Sequence, residues 1–446
     1  MTDDVFLLVF DSLRRDHIEP YSDDISTPAL SRLAADSFVL EEAYSTGSWT
    51  IPAHGSLFTG KYPSQHGATG ATKRLPSGPK TLAEVATNND YEPIAISTNP
   101  WVSPDFGFYR GFGELSEFLY PTLPFPEVGS PDDVIDHDKE FVHNLIEILR
   151  WSAEKDTLKR LIKTVYDRYF FEEKTEDATV VTDHLLSSIE SVPDRKPVFG
   201  FANYMDAHEP YFKDERNSQI SWNLYSVRDS PKIDPNKIRD AYISSISSLD
   251  EGVSNLINGL QKQDRYDDAL IIGVSDHGQS LGEHNYWGHG TYLYDELLRV
   301  PAFIKPPGGR QSATSIQQPF SLRKVFELAS QAFSGDIDVE AWIRNSTEKV
   351  VVAESAGPHM DVELSSDDVS INGYWKFYGE SWSVTKDLDL DEFTVCQAQA
   401  SLSKTDILGM VDEAIKNNGI TVMDGSADDE SLDTDIERRL EHLGYK

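Results

Sequence analysis

The stretch VFLLVFDS, residues 5–12, decides the fold. Six apolar residues run without a polar break and end against an aspartate. A helix or strand with one wet face shows polar positions at a fixed period. This run shows none, so it reads as a strand buried on both faces, the usual state of parallel strands. PIAIS (93–97), PVFGFANY (197–204) and ALIIGVS (269–275) have the same form. Helical patterns lie between them: TPALSRLAADS from Thr27, TLAEVATNN from Thr81, DATVVTDHLLSSIESV and IRDAYISSISSLDEGVSNLINGLQK. Strand and helix alternate, which predicts an α/β chain whose mostly parallel sheet is covered on both faces.

In open α/β sheets, ligands bind at the carboxyl ends of the strands. Asp11 follows the first run, Asp206 and His208 the third, and Asp276 and His277 the fourth. These carboxylates and imidazoles are placed to converge, and they suit a divalent cation such as Mg, Mn, Ca or Zn. An aspartate alone at a strand end reads equally well as a helix cap or turn former.

A second informative stretch is STGSWTIPAHGSLFTGKYPSQHG, residues 45–67. Thr50 can cap a short helix whose first turn holds Pro52 and which Gly60 ends. The N-terminus of such a helix attracts anions through free N–H groups and its dipole. A hydroxyl held there beside a metal loses its proton more readily and becomes a nucleophile. His54 lies one turn on, on the same face. A plain cap with a hydrogen-bonded histidine is the alternative.

The chain has 446 residues, 39% of them hydrophobic, enough for one large α/β domain and a smaller one. Its 75 acidic and 40 basic residues give a net charge of −35. Such a surface repels nucleic acid and fits a halophilic protein, where salt screens the self-repulsion. One cysteine, Cys396, excludes a disulfide framework or a cysteine zinc site. The opening MTDDVFLL lacks a basic n-region, and no run reaches the ~18 apolar residues of a membrane span, so a cytoplasmic protein is expected. Residues 120–190 break the strand–helix rhythm with a Pro-rich loop and a helical stretch, and read as an insertion placed to cap the site. The composition shifts after Pro306-Pro307-Gly308-Gly309. The expected division is therefore a catalytic domain over 1–310 and a smaller C-terminal subdomain over 311–446. That subdomain holds the strands KVVVAES and SINGYWKFYGESWSV and ends in an acidic tail.

Taken in order, these segments resemble the sulfatase family within the alkaline phosphatase superfamily. FDSLRRDHIEPYSDDISTPALSRLAADSFVLEEAYST looks like the family's opening. TIPAHGSLFTGKYPSQHG stands where sulfatases carry Cys/Ser-x-Pro-x-Arg and a Thr-Gly-Arg-Tyr-Pro-like segment. FANYMDAHEPY resembles the His-x-Pro segment, and VSDHGQSLGEHNYWGHGTYLYDELLRVPAFIKPPG the second metal segment and its sequel. The resemblance covers most of the chain. It implies an alkaline-phosphatase-like three-layer α/β sandwich with a smaller C-terminal α+β subdomain. It implies one divalent metal ion (Mn, Zn, Mg or Ca) on Asp11, Thr50, Asp276 and His277, with Thr50 also the nucleophile. His208 would hold the anion or leaving group, and His54 replaces the motif's arginine. Lys61 would support the nucleophile loop, and Asn99 and His289 would lie on the substrate.

The departures bear on function. Sulfatases oxidise the Cys or Ser to formylglycine, and a threonine cannot give that aldehyde, so no formylglycine is expected. The family's Asp-Asp pair is Asp11-Ser12, one ligand short. ISTNPW replaces the segment that supplies a substrate lysine. Asp276-His277 in place of Asp-Asn resembles phosphoester-cleaving relatives, including phosphonate monoester hydrolases and lipoteichoic-acid synthase-like transferases. The spacing of Asp206 and His208 differs from that of two-metal phosphodiesterases, and a second ion would have to use His208, His284 or His289. The reading is a metal-dependent hydrolase cleaving a phosphate mono- or diester of a small molecule or glycan through Thr50. Three alternatives stay open: a sulfatase using unmodified threonine, a phosphoryl-group transferase, and a non-catalytic protein that binds an anionic glycan.

Overall fold

The computed structural model describes residues 4–119, 150, 177–193, 196–209, 211, 234–310, 314–335, 337–346, 348–356, 370, 372–399 and 402–422. Its strands in chain order are β1 (Val5–Phe10), β2 (Phe38–Leu40), β3 (Ala43–Tyr44), β4 (Glu92–Ser97), β5 (Glu117–Phe118), β6 (Val198–Tyr204), β7 (Leu270–Val274), β8 (Ser280–Leu281), β9 (Trp287–Gly288), β10 (Ala302–Lys305), β11 (Thr314–Ile316), β12 (Phe320–Ser321), β13 (Val351–Ser355), β14 (Tyr374–Gly379), β15 (Trp382–Asp387) and β16 (Glu392–Ala398). The helices longer than one turn are α1 (Pro28–Ala35), α2 (Thr50–Thr59), α3 (Pro63–His66), α4 (Leu82–Thr87), α5 (Ala178–Glu190), α6 (Pro235–Lys262), α7 (Asp295–Leu298), α8 (Lys324–Phe333), α9 (Val339–Ser346) and α10 (Lys404–Asn418).

Eight strands form one sheet in the order β11-β2-β10-β7-β1-β6-β4-β5. β7, β1, β6, β4 and β5 run parallel, and β10 runs antiparallel to both of its neighbours. The unbroken apolar character of β1 has a direct cause. Val5, Leu7 and Val9 face one core, with α2, α4, α8 and α9, while Phe6, Leu8 and Phe10 face the other, with α1, α5 and α6. Both faces are dry, so neither tolerates a polar residue. Gly252 permits a close helix contact in the second layer: a Cβ there would lie 2.3 Å from that of Ala178, so only glycine lets α6 meet α5 at this depth. The three-layer α/β sandwich expected from the sequence is what forms.

Two boundaries differ from the expectation. Residues 178–190, placed in the insertion, are α5, a core helix of the sandwich. The rest of the insertion, except Arg150 and Asp177, lies outside the described residues, as does the acidic tail. After residue 310 the chain does not leave the large unit at once. β11 pairs in parallel with β2 at the sheet edge, and α8 and α9 complete one apolar layer. The subdomain proper is the antiparallel sheet β13-β14-β15-β16 with α10 packed on it. The composition shift marks a loop there because a short edge strand carries little apolar signal.

Glu354 on β13 ties the subdomain to the segment around α2. Its N–H donates to the Thr46 carbonyl at 2.8 Å, and its carboxyl group meets the Ser64 N–H at 2.7 Å and the Ser64 hydroxyl at 2.8 Å. Burial pushes its pKa up from 4.5 to about 7, against the lowering effect of both Ser64 bonds. Between these two values the folded chain holds a proton that the unfolded chain has released. Stability is therefore highest below the unfolded value and falls as pH rises through the folded one, by up to about 3 kcal/mol. Glu354→Gln reproduces the protonated acid, one atom donating to the Ser64 hydroxyl and one accepting its N–H. The expected result is a flatter slope of melting temperature between about pH 5 and pH 7. An unchanged slope would show that the pH dependence originates elsewhere.

Candidate functional site

Four neighbouring parallel strands end on the same sheet edge, and each delivers a polar side chain there. In sheet order, β7 leads to Asp276 and His277, β1 to Asp11, β6 to His208, and β4 to Asn99. Thr50 joins them from the N-terminus of α2. All are buried, with Asp11, Asn99, Asp276 and His277 at zero exposure.

The carboxylates are held by the backbone that follows β1. Ser12 sits at φ 59, left-handed and strained for a non-glycine residue. In that conformation its hydroxyl donates to Asp11 Oδ1 at 3.0 Å and its N–H to Asp276 Oδ1 at 3.3 Å. The serine that replaces a second aspartate is thus a donor to both remaining ones. The His277 N–H also donates to Asp276 Oδ1, at 2.9 Å. The Gly278 carbonyl lies 2.8 Å from His277 Nδ1, so Nδ1 carries a proton, and Nε2 points 3.6 Å from Asp11 Oδ1 and 3.5 Å from Asp276 Oδ2. His277 Nε2 and Asp276 Oδ2 are buried and have no hydrogen-bond partner. Lone pairs facing one another in a dry site call for a cation, and one ligand atom from each of Asp11, Asp276 and His277 lies within 4.8 Å of the others. The donor set fits a divalent ion. Burial and the charge of Asp276 together raise the pKa of Asp11. Burial works the same way on Asp276, but His277 and His54 outweigh it and hold that carboxyl low.

Thr50 is the first helical residue of α2. Trp49 is the N-cap, and Pro52 is the third residue of the helix rather than the first. This corrects the expected cap. The Thr50 hydroxyl turns from the helix amides toward the site, 3.5 Å from Asp11 Oδ2 and 3.5 Å from Asn99 Nδ2. Asn99 donates to Asp11 Oδ2 at 2.6 Å. His54 Nδ1 lies 3.1 Å from the Thr50 carbonyl and 3.3 Å from Asp276 Oδ2, while Nε2 faces Asn203 Nδ2 at 3.3 Å. A ring of Phe58, Phe108 and Phe201 edges surrounds this imidazole.

His208 and His289 stand together, their ring centroids 5.1 Å apart, and His289 is 4.3 Å from His277 by the same measure. Burial opposes a charge on His208, but the carboxylates of Glu209, Asp11 and Asp276 raise its pKa. Other expected residues fall elsewhere. Asp206 gives Oδ1 to the Ala178 N–H at the start of α5, so it serves the helix, not the site. Lys61 is exposed past the far end of α2, roughly 15 Å along the axis from Thr50, so a substrate contact from it has no geometric basis. His284 is exposed and pairs with Glu296 at 3.5 Å. His66 is buried, with Nδ1 accepting from the Ala68 N–H at 3.0 Å, and burial pushes its pKa down to about 3. Asp16 braces Arg14 at 2.7 Å. Trp101 and Phe106 are core. Glu209 and Gln279 were missed by the sequence reading, although each stands within two residues of a singled-out histidine.

A three-layer sandwich that gathers two carboxylates, a hydroxyl and several imidazoles at the carboxyl edge of its sheet has the architecture of the alkaline phosphatase superfamily. A family model described as Sulfatase matches residues 3–334, and the chain belongs to the sulfatase family. It is 25% identical over 319 residues to the choline-sulfatase of Rhizobium meliloti, covering 64% of this chain and 59% of that one. It is 23% identical to the iduronate 2-sulfatase of Mus musculus, over 73% of this chain and 63% of the relative. The chain thus matches about three fifths of the length of these relatives. Among solved structures it superposes on the phosphonate monoester hydrolase from Silicibacter pomeroyi with a TM-score of 0.66. That match has 16% identity and covers 95% of this chain and 96% of that one. Among the described residues, no helix is long and apolar enough to cross a membrane.

Proposed function

We propose that this protein is a metal-dependent hydrolase of an anionic ester, cleaving a phosphate mono- or diester of a small molecule or glycan with Thr50 as nucleophile. The observation that carries the reading is a threonine hydroxyl at the N-terminus of a ten-residue helix, 3.5 Å from both Asp11 and Asn99. Asp11, Asp276 and His277 would hold a divalent cation, whose positive charge would favour the deprotonated hydroxyl and neutralise the anion. Asn99 orients the Thr50 oxygen. The α2 dipole and free N–H groups favour the charge that builds on the transferred group. His208 and His289 hold the anion or leaving oxygen. The Thr50 hydroxyl gives up its proton to water, and its oxygen forms a bond to phosphorus as the bond to the leaving oxygen breaks, that oxygen taking up a proton. Water then attacks the phosphothreonine at phosphorus, releasing the phosphate and restoring the Thr50 hydroxyl. A sulfate ester on threonine lacks the hemiacetal route by which formylglycine releases sulfate, which favours phosphorus. The sulfatase names of the relatives support the second reading, sulfate ester cleavage by unmodified threonine.

The test is an assay on paired aryl esters (a phosphate monoester, a phosphodiester, a phosphonate monoester and a sulfate) with Mn, Zn, Mg or Ca in turn. A net charge of −35 calls for high salt in this assay, and we propose high salt as the working condition. Cleavage of a phosphorus ester is expected. Cleavage of the sulfate alone would establish the second reading.

A further inference from the structure

The C-terminal end of β13 reaches the site from the subdomain side, and Glu354 there holds the chain on both flanks of α2. Its N–H bonds the carbonyl of Thr46, four residues before Thr50, and its carboxyl group accepts from Ser64, beyond the end of α2. Each grip is passed on to the helix. On the near flank, Gly47 lies between Glu354 and Pro52 in the first turn of α2. A Cβ at Gly47 would stand 2.9 Å from Pro52 Cγ and 3.6 Å from the Glu354 carbonyl oxygen, so this packing has no slack. On the far flank, the Ser64 N–H lies in the first turn of α3, where no carbonyl of the helix can reach it, and the Glu354 carboxyl group satisfies it. His66 then packs α3 on α2. Its ring would stand 2.5 Å from a Cβ at Gly55, and its Nε2 donates to the Ser56 hydroxyl at 3.1 Å. The proton is on Nε2 because Nδ1 accepts from the Ala68 N–H. The next residue of β13, Ser355, donates to the Thr291 carbonyl at 2.9 Å, two residues after His289. One strand end thus fixes the entry to Thr50 and the loop that carries His289. Glu354 is 1% exposed, where an apolar side chain would avoid the cost of burying an acid. What the acid adds is its hold on Ser64.

We propose that Glu354 is a positioning residue for Thr50: its side chain anchors α3, and through α3 the helix whose first residue is Thr50. The C-terminal subdomain thereby sets where the Thr50 hydroxyl meets Asp11 and Asn99. The proposal rests on the reading of Thr50 as nucleophile given above. Both contacts of that hydroxyl are 3.5 Å long, the outer limit of a hydrogen bond, so a small shift of α2 breaks them. A displacement of about 1 Å at a reacting group costs on the order of 100-fold in rate. Removing the Glu354 side chain leaves its backbone bond to Thr46 in place, so the defect falls on the placement of α2 and not on the pairing of β13.

Glu354→Leu keeps the bulk and removes both bonds to Ser64. It is expected to lower kcat on the cleaved ester by about 100-fold with KM little changed, the pattern of a misplaced reacting group. Glu354→Gln keeps both bonds and should retain most of kcat. An equal loss in the two variants would overturn the proposal, as would an unchanged kcat in Glu354→Leu. Melting curves and circular dichroism check the fold. Should Glu354→Leu not fold, Ser64→Ala takes its place: it removes the hydroxyl bond alone, a smaller fall in kcat is expected, and no fall overturns the proposal. Hydrogen–deuterium exchange supplies a readout independent of turnover. Amides of residues 50–59 should exchange faster in Glu354→Leu, or in its replacement, while those of β1 stay as protected as before. Equal exchange in α2 would overturn the proposal. If the unaltered protein cleaves no ester, the function proposed above fails, and the exchange of α2 alone decides whether Glu354 places this helix.

Discussion

Thr50→Ala is expected to lower kcat on a cleaved ester by about 10⁴-fold or more, because removing a nucleophile leaves only binding and electrostatic stabilisation. The fold should survive the change. Asn99 keeps its 2.6 Å bond to Asp11 without the hydroxyl, and α2 keeps its start because Trp49, not Thr50, is the N-cap. Thr50→Ser separates two causes of loss. It restores the oxygen without the methyl group that restricts χ1, so it should recover most of the rate if Thr50 attacks. If Thr50 acted only through the bulk of its side chain, Ala and Ser would behave alike. Acid quenching during turnover provides a second readout, a phosphothreonine at residue 50 found by mass spectrometry. Turnover that persists in the alanine variant would place the nucleophile elsewhere.

Much of the scaffold was legible because its central strands are dry on both faces. β1, β4, β6 and β7 begin and end within one residue of the apolar runs that announced them. The chemistry was legible wherever a residue follows such a strand directly, as Asp11 and Asp276 do. It was less legible where a side chain's direction depends on a turn. Asp206 and His208 follow the same strand two residues apart, yet one caps α5 and the other enters the site. Glu209 escaped notice because a glutamate before proline on a loop looks like surface. Only its burial beneath Gln279 and Tyr211 shows otherwise. Ser12 appeared as a missing ligand, and its left-handed backbone turns that absence into a bridge between the two carboxylates. Lys61 carried weight through motif position alone, and a helix length separates it from Thr50.

Asp276→Asn is the variant that most directly separates metal binding from fold. In the metal-free protein the two buried carboxylates oppose each other, burial and the charge of Asp276 raising the pKa of Asp11. Replacing Asp276 by Asn removes that repulsion but also weakens the approach of His54 and His277, at 3.3 and 3.5 Å from Oδ2. These effects oppose each other, so the melting temperature without metal should move little. With metal the outcome differs. A ligand at about 1,000 times its dissociation constant stabilises the folded state by about 4 kcal/mol, a shift of several degrees. The unaltered protein should show that gain with Mn or Zn. Asp276→Asn should lose most of that gain and bind the ion on the order of 100-fold more weakly, since losing a direct ligand costs at least as much as losing its support. Activity should fall with it and return in part at high metal concentration, which a purely structural defect would not do. An equal metal-induced shift in both proteins would mean that Asp276 holds no ion. The paired carboxylates would then be a buried acid pair bridged by Ser12 and His277, and Thr50 would lack the positive charge on which its reactivity depends.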